Sequence, residues 1–585
     1  MPDVRVVTSG EWKDPNAMLC ALGPERFAAA FRARLAAAED IEKCKVKNEK
    51  SEGGHEQENG ASDEALLYDP RVVAEAFLLS PPVPPRFGSP AKDEGAEGKT
   101  PGRRMLFYRG SFYQFDGRCY AELPDDDLRA QLVEFVQGRE WLVTKGKETY
   151  ARLTTPTGRF IGDVRVNLMG PCLVPSAVEL PRWRDGRDGT RFVVLANGVL
   201  DVDGAFRLLV GEPPNNEKCK VKNEKGKAEA EAEEAAGGGL NRMLGALGRH
   251  SPDLFSVNAQ PFGFEPEAEC RRWHGFLDRV LPDAELQGIV QEWFGYCLLP
   301  TQAYQRILIL QGDGANGKSV LLGVLRRLVG VRNCSAVPLE MLHMPHGLEP
   351  MVGRLLNVAG EWGHIDAAGL NVLKAVSGGD AVTINPKNRA AYQAVLQTRF
   401  TVTTNEPPRI SDHSDAIWRR LMIVPFRVRI PEAERRPLSA FVDELCGELA
   451  GIFMWALEGL WRLMDRGGFA ECDATLAMKA EYREESNPAA VWCDENLLVA
   501  GDEHEMTAAA EVYEAYATWC KTSGHRALSD SRFGREVARW WRKAGSGELR
   551  KSKRREQVGG RRLPMYVGLV LAEQPVKSEE RRWWR

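Results

Sequence analysis

Aromatic and polar residues alternate through "MLFYRGSFYQFDG", residues 105–117, and that two-residue period predicts a β-hairpin. The period changes at "DDDLRAQLVEFVQ", where an acidic start followed by apolar residues at helical spacing predicts an amphipathic helix. "AECRRWHGFLDRVL" and "AELQGIVQEWFGYCLL" also show helical spacing and lead directly into the short apolar run "RILIL". From residue 303 to 430, apolar strand-like runs alternate with helical stretches, the pattern of an α/β domain with a doubly wound sheet. Residues 438–465 predict one long, mostly buried helix, and the last hundred residues predict two further helices and a basic hairpin-like end. Two segments, 42–64 and 215–239, have neither period. Both are charged and poor in aromatics, a composition that cannot bury a core. They share the nine residues "EKCKVKNEK", at 42–50 and 217–225. Inserted low-complexity sequence explains this repeat better than a duplicated basic contact motif.

Composition adds three constraints. A length of 585 residues implies several domains. The net charge of -4 hides an asymmetry: residues 521–585 hold 18 Lys and Arg against 7 Asp and Glu, a basic end on an acidic body. Such an end suits one polyanion-binding surface. The twelve cysteines show no Cys-x-x-Cys pair and no His at metal spacing, so free thiols are expected and a structural zinc is not. The start "MPDVRVVTSGEWKDPN" lacks the apolar stretch of a signal peptide, and "LAGIFMWALEGLW" is interrupted by Glu458 and too short to span a bilayer. These features predict a soluble, cytoplasmic protein with no membrane partner.

Chemistry concentrates after "RILIL". Gly312-Asp313-Gly314-Ala315-Asn316-Gly317-Lys318-Ser319 fits G-x-x-x-x-G-K-[ST] between a strand and a helix. Backbone N–H groups of such a loop turn inward on phosphates. Lys318 reaches the β- and γ-phosphates, and the Ser319 hydroxyl holds Mg²⁺. The following helix adds its positive end. Hydrolysis also needs an acid, a group that orients water and a cation for the developing charge. "RLLNVAGEW" supplies Glu361 at a strand end, "TRFTVTTNEPP" supplies Asn405 before a proline pair, and "AIWRRLMIVPF" supplies Arg419 and Arg420. Taken singly, each also reads as an ordinary loop or strand-edge residue; their order and compactness raise them above that.

This ordered set resembles the superfamily 3 helicases, and most closely the phage- and plasmid-type primase-helicases that include the poxvirus primase-helicase. The landmarks are "GDGANGKS", "AGEW", "LKAVSGGDAVTINPKNR", "FTVTTNEPP" and "IWRRLMIVPF". Upstream, "DPRVVAEAFL", "LFYRGSFYQFDG", "LANGVLDV" and "EWFGYCLLP" resemble the domain that precedes the motor. Downstream, "VYEAYATWCKTSGHRALSDSRFGREV" resembles the family's winged-helix-like domain. The resemblance implies an AAA+-like P-loop NTPase core over 303–470. A mixed α+β/helical domain would precede it over 66–302, with a disordered insertion at 215–239, and a winged-helix-like DNA-binding domain would follow over 471–575. Residues 1–65 and 576–585 would be a poorly ordered segment and a tail.

The resemblance also implies roles. Gly312, Asp313, Gly314, Ala315, Asn316, Gly317, Lys318, Ser319 and Val320 would bind ATP. Ser319 and Glu361 would hold Mg²⁺, with Glu361 as the Walker B acid. Asn405 would be the sensor. Arg420 would be the arginine finger, with Arg419 as the alternative, acting on a neighbouring subunit's ATP in a hexameric ring. Lys387 and Arg389 would touch DNA from a hairpin facing the ring channel. In the basic end, Arg550, Lys551, Lys553, Arg554 and Arg555 would form a wing on DNA. Trp540 and Trp541 read as core packing rather than base-stacking groups. Too little chain precedes the motor for a primase fold, so primer synthesis would come from a separate primase among other replication proteins. The expected activity is an ATP-dependent replicative DNA helicase from a phage, prophage or plasmid. The alternatives are a translocase that does not separate strands and an origin-binding protein in which ATP drives assembly.

Overall fold

The structure is a computed structural model that describes residues 66–80, 104–145, 148–210, 242–363, 365–387, 389–405, 415–500, 505–525, 527–544, 548–555 and 562–572. The segments expected to be poorly ordered, 1–65 and 215–239 among them, and the tail at 576–585 lie outside the described residues. The chain is mixed α/β and divides into two compact units, the first ending at Arg187 and regaining residues 250–257, the second holding the remainder.

In the first unit the expected hairpin forms between Met105–Tyr108 and Ser111–Phe115, with Met105 opposite Gln114, and Tyr120–Leu123 adds a third antiparallel strand. The expected helix spans Asp125–Gln137; three aspartates in its first turn complement the positive helix end. Phe77, Phe112, Leu132, Trp141 and Leu168 fill the core.

The second unit is organised by a parallel sheet. Helices α1 (Arg271–Val280) and α2 (Ala284–Tyr296) lead into β1 (Ile307–Gln311). Next come α3 (Lys318–Val329), β2 (Cys334–Ser335), β3 (Leu356–Glu361) and α4 (Ala367–Gly378). A hairpin of β4 (Ala381–Ile384) and β5 (Tyr392–Val395) precedes β6 (Arg399–Thr404) and β7 (Leu421–Pro425). The sheet order is β2-β3-β6-β1-β7, all parallel. Ile307 to Leu310 are fully buried, as expected of a strand covered on both faces. Arg399 is also fully buried; it donates to the Cys297 carbonyl at 2.7 Å, which places a cation at the negative end of α2 and ties that helix to β6. Trp293 on α2 donates to Thr401 Oγ1 at 2.9 Å and makes a second tie to the same strand.

The single long helix expected over 438–465 is corrected. Residues 438–465 form two helices, α5 (Leu438–Cys446) and α6 (Leu449–Arg466). The chain turns at Gly447, and the Glu448 carboxylate accepts from Arg272 N at 3.0 Å and Trp273 N at 3.2 Å. Glu448 thereby caps α1, which has no side-chain cap of its own. The periodicity continues across the break because both helices face the same core.

Beyond α6, helices α7 (Asp473–Ser486) and α8 (Pro488–Asn496) lead to β8 (Leu497–Val499) and β9 (Met506–Ala508). Then follow α9 (Ala509–Thr522), α10 (Asp530–Lys543), β10 (Lys551–Arg555), β11 (Arg562–Val567) and β12 (Leu569–Leu571). Among the described residues of the last hundred, three helices therefore lie where two were expected. Ser486-Asn487-Pro488 reads as a break, but Asn487 caps α8 by accepting from Ala490 N. Trp492, Tyr516, Phe533, Trp540 and Trp541 are buried together, so the tryptophan pair is core. No helix among the described residues is long and apolar enough to cross a membrane.

Candidate nucleotide site

The glycine-rich loop sits at the carboxyl end of β1, where the parallel strands on either side also end. Gly312 has φ 155°, and a Cβ there would lie 2.3 Å from Asn316 Nδ2 and 2.5 Å from the Phe426 carbonyl. Gly317 has φ 89°, and its Cβ would lie 2.7 Å from Val280 Cγ1. Glycine is therefore required by backbone angle and by close approach at both places. The loop is pinned from outside: Ile430 N donates to the Ala315 carbonyl at 2.8 Å, and Asn316 Nδ2 to the Phe426 carbonyl at 3.3 Å.

Lys318 opens α3 and is buried, 6% exposed. Its ammonium donates to the Gly312 carbonyl and, at 3.3 Å, to Asn405 Oδ1. Burial pushes its pKa below the usual lysine value, and the nearby Asp313 charge opposes that shift. Asn405 follows β6, the strand next to β1, so parallel pairing alone brings residues 87 positions apart into contact. Glu361 ends β3, which pairs with β6 on its other side, and the register shifts between Ala359 and Glu361. The Glu361 side chain lies outside the described residues.

A cavity of about 720 Å³ opens over the loop. Gly314 to Val320 and Thr403 to Asn405 form one wall. Gly312 and Asp313, expected at the site, are not in that wall; Gly312 is buried below Asn316 and Asp313 is exposed. The rest of the lining comes from two segments that the motifs did not include. Phe276, Arg279 and Val280 come from α1, and Ile430, Arg436 and Phe441 come from the chain after β7. Phe276 meets Phe441 edge-on at 5.8 Å, and the Arg436 guanidinium lies over the Phe441 ring at 4.5 Å. Arg279 pairs with Glu434 and Arg436 with Glu444. Arg436 and Glu444 hold each other charged, the arginine pushed up and the glutamate down by their hydrogen bond. The cavity lining thus combines apolar and aromatic side chains with the glycine-rich loop and the exposed Ser319, a combination suited to a nucleotide's base and phosphates. Among the described residues no group of three His, Cys, Asp or Glu could hold a metal alone. A hard cation here would need phosphate oxygens beside Ser319 and Glu361, the usual arrangement for Mg²⁺.

The arginine pair is elsewhere. Leu421 is level with Ile307, so Arg419 and Arg420 stand at the amino end of the sheet. Six residues at the rise of a strand put them roughly 20 Å from Gly312 of the same chain. Arg419 is exposed. Arg420 is 7% exposed and donates from Nη1 to the Ala416 carbonyl at 2.6 Å. Burial lowers its pKa, the like charge of Arg419 adds to that, and Asp380 opposes it. Lys387 and Arg389 are exposed at the β4–β5 turn. In the basic end Arg550 and Lys551 are exposed, and Lys551 lies over the Tyr566 ring at 5.4 Å. The side chains of Lys553, Arg554 and Arg555 lie outside the described residues.

Similarity to known proteins covers part of the chain. Residues 310–420 match a family described as "Family of unknown function (DUF5906)". The chain is 25% identical over 280 residues to "Putative helicase L207/L206" of Acanthamoeba polyphaga mimivirus, covering 44% of this chain and 29% of that protein. It is 23% identical over 181 residues to "Putative helicase 121R" of Invertebrate iridescent virus 3, covering 29% of this chain and 19% of that protein. The chain therefore spans less than a third of the length of either relative. A solved structure titled "The A form apo structure of NrS-1 C terminal region-CTR" aligns with 52% of this chain and 78% of that one, at a TM-score of 0.33 and 13% identity. The site thus belongs to a mixed α/β chain with weak similarity to viral proteins that carry a helicase name.

Proposed function

We propose that the chain is an ATP-dependent replicative DNA helicase of the superfamily 3 type. Its AAA+-like P-loop core would be residues 303–470, preceded by the mixed domain at 66–302 and followed by a winged-helix-like domain at 471–575. The observation that carries this reading is the meeting of Lys318 and Asn405 beneath a cavity of about 720 Å³ at the carboxyl end of a parallel sheet. In open α/β sheets that end is where ligands bind.

Each group has a task. Lys318 holds the β- and γ-phosphates, and the loop N–H groups hold the remaining phosphate oxygens. Ser319 and Glu361 would hold Mg²⁺, which neutralises phosphate charge when bound. Asn405 orients the attacking water. Phe276, Val280 and Phe441 take the base. The arginine pair lies too far from its own loop to act there, which supports action on a neighbouring copy in a ring, expected to be a hexamer. Lys387 and Arg389 grip the DNA backbone without reading sequence, and Arg550, Lys551, Lys553, Arg554 and Arg555 add phosphate contacts. The viral origin of both curated relatives favours a virus, phage or plasmid source. A second reading is an origin-binding protein assembled by ATP; it is favoured by the exposed cations Arg550 and Lys551 on a core that packs apart from the sheet.

ATP turnover measured with and without single-stranded DNA tests the proposal. A motor turns over ATP and is stimulated by the strand. Nucleotide binding without DNA-responsive turnover removes the motor and leaves the assembly reading.

A further inference from the structure

After Ile430 the chain runs through residues 431–437, all exposed, before α5 begins at Leu438. Pro431 and Pro437 bound this stretch. Its entry is fixed on the glycine-rich loop, because Ile430 N donates to the Ala315 carbonyl at 2.8 Å. Its exit is fixed on α1, because Phe441 meets Phe276 edge-on at 5.8 Å. A 3₁₀ turn, Glu432–Glu434, shapes it from within: Glu434 N donates to the Pro431 carbonyl at 3.0 Å, and Arg435 Nε reaches back to the Ile430 carbonyl at 3.2 Å. Glu434, Arg435 and Arg436 line the cavity and are exposed as well, which puts this strap at the cavity's rim.

Helix α1 supplies the attachment for the middle of the strap. Arg279, in the last turn of α1, forms an ion pair with Glu434. Both residues line the cavity, and their side chains are 52% and 47% exposed. A pair that lines a cavity and also meets solvent stands at its mouth. Helix α1 is itself held at both ends. The Glu448 carboxylate caps its start through Arg272 N and Trp273 N, and at its end Val280 lies against Gly317, where a Cβ would come within 2.7 Å of Val280 Cγ1. Near the exit of the strap, Arg436 pairs with Glu444 and lies over the Phe441 ring. Helix α1 is thus the fixed side of the mouth and the strap is the yielding side, with the Arg279–Glu434 pair joining them.

We infer that residues 431–437 are a strap across the nucleotide cavity and that the Arg279–Glu434 ion pair is its clasp: a bound nucleotide leaves when the pair parts. The inference rests on the nucleotide-site reading above and deepens it, because it assigns release to two residues outside the phosphate loop. Ion pairs this exposed contribute little, so the clasp sets the release rate within a few-fold range rather than locking the nucleotide in. That suits a step that must recur in every turnover. Salt screens an exposed pair, so release is also sensitive to ionic strength.

The test is release of a fluorescent ADP from the full chain, chased with excess unlabelled ADP and followed by stopped flow at low and high salt. Arg279→Ala and Glu434→Ala are each expected to speed release about 2- to 5-fold, the size of an exposed ion pair. Glu434→Arg sets two cations against each other and is expected to speed it at least ~5-fold. Adding Arg279→Glu to Glu434→Arg reverses the pair and is expected to return release to within about twofold of the parent. A merely structural role of either side chain would not be rescued in this way. Raising the salt is expected to speed release from the parent more than from Glu434→Ala. Parent-like release in Glu434→Arg, or no rescue in the reversed pair, would overturn the inference. So would equal salt dependence in the parent and Glu434→Ala. Lys318→Ala separates the two levels of the argument. If the parent binds no ADP, or Lys318→Ala binds it as tightly, the nucleotide site fails and the clasp with it. If ADP is held through Lys318 but leaves every clasp variant at the parent rate, the clasp alone fails.

Discussion

At the carboxyl end of the sheet, Asn316, Lys318 and Thr404 are buried polar groups that face one cavity. At the amino end, Arg419 is exposed and Arg420 is buried against the end of α4. The same strands position both sets, so the distance between them is fixed by strand length. A parallel sheet has two unlike ends, because each strand delivers its loop in the same direction. Chemistry that one chain completes belongs at the first end. A cation at the second end, roughly 20 Å away by strand rise, lies out of reach of its own chain's loop, and under the proposed ring it would serve a neighbouring copy.

Three substitutions or conditions probe that contrast, in order of size. Lys318→Ala removes the buried ammonium that meets Asn405; it is expected to weaken ATP binding by ~100-fold or more and to abolish turnover, read by nucleotide titration. Strong binding by this variant would put the phosphate grip elsewhere. Phe441→Ala opens the aromatic end and releases Arg436 from its ring. It is expected to raise KM for ATP by roughly 5- to 30-fold, about 1–2 kcal/mol, with kcat little changed. A fall in kcat at constant KM would place this wall in the chemistry rather than in base binding.

The smallest effect is with pH. Lysine binds phosphate in its protonated form, and burial lowers the Lys318 pKa. The binding form is therefore lost at a lower pH than for an exposed lysine. Bound phosphate raises the pKa again, so ATP affinity falls as pH rises through the lowered Lys318 pKa, where binding takes up a proton. Lys318→Arg, which stays charged, is expected to flatten that dependence; an unchanged slope would assign it to another group.

How much of this was legible in the sequence follows from distance along the chain. The loop was legible because eight consecutive residues carry its geometry, down to the two glycines that no Cβ could replace. Asn405 and the arginine pair were legible as ends and starts of apolar runs, but their sides of the sheet came only from the strand order. The aromatic wall was not legible. Phe276 precedes the loop and Phe441 follows the last strand, and neither carries a pattern that separates it from a core aromatic. The break between α5 and α6 was hidden for a related reason. Glu448 is needed to cap α1, a contact across 176 positions that local periodicity does not register. The burial of Arg420 was equally invisible, since two adjacent arginines before a strand read as one charged pair.

The account stands or falls on strand separation. A forked DNA with one labelled strand, incubated with the full chain and ATP, measures it directly. Release of the strand that requires ATP, and is lost in Lys318→Ala, is the predicted result. DNA-stimulated ATP turnover with no strand released would contradict the helicase assignment and leave a translocase.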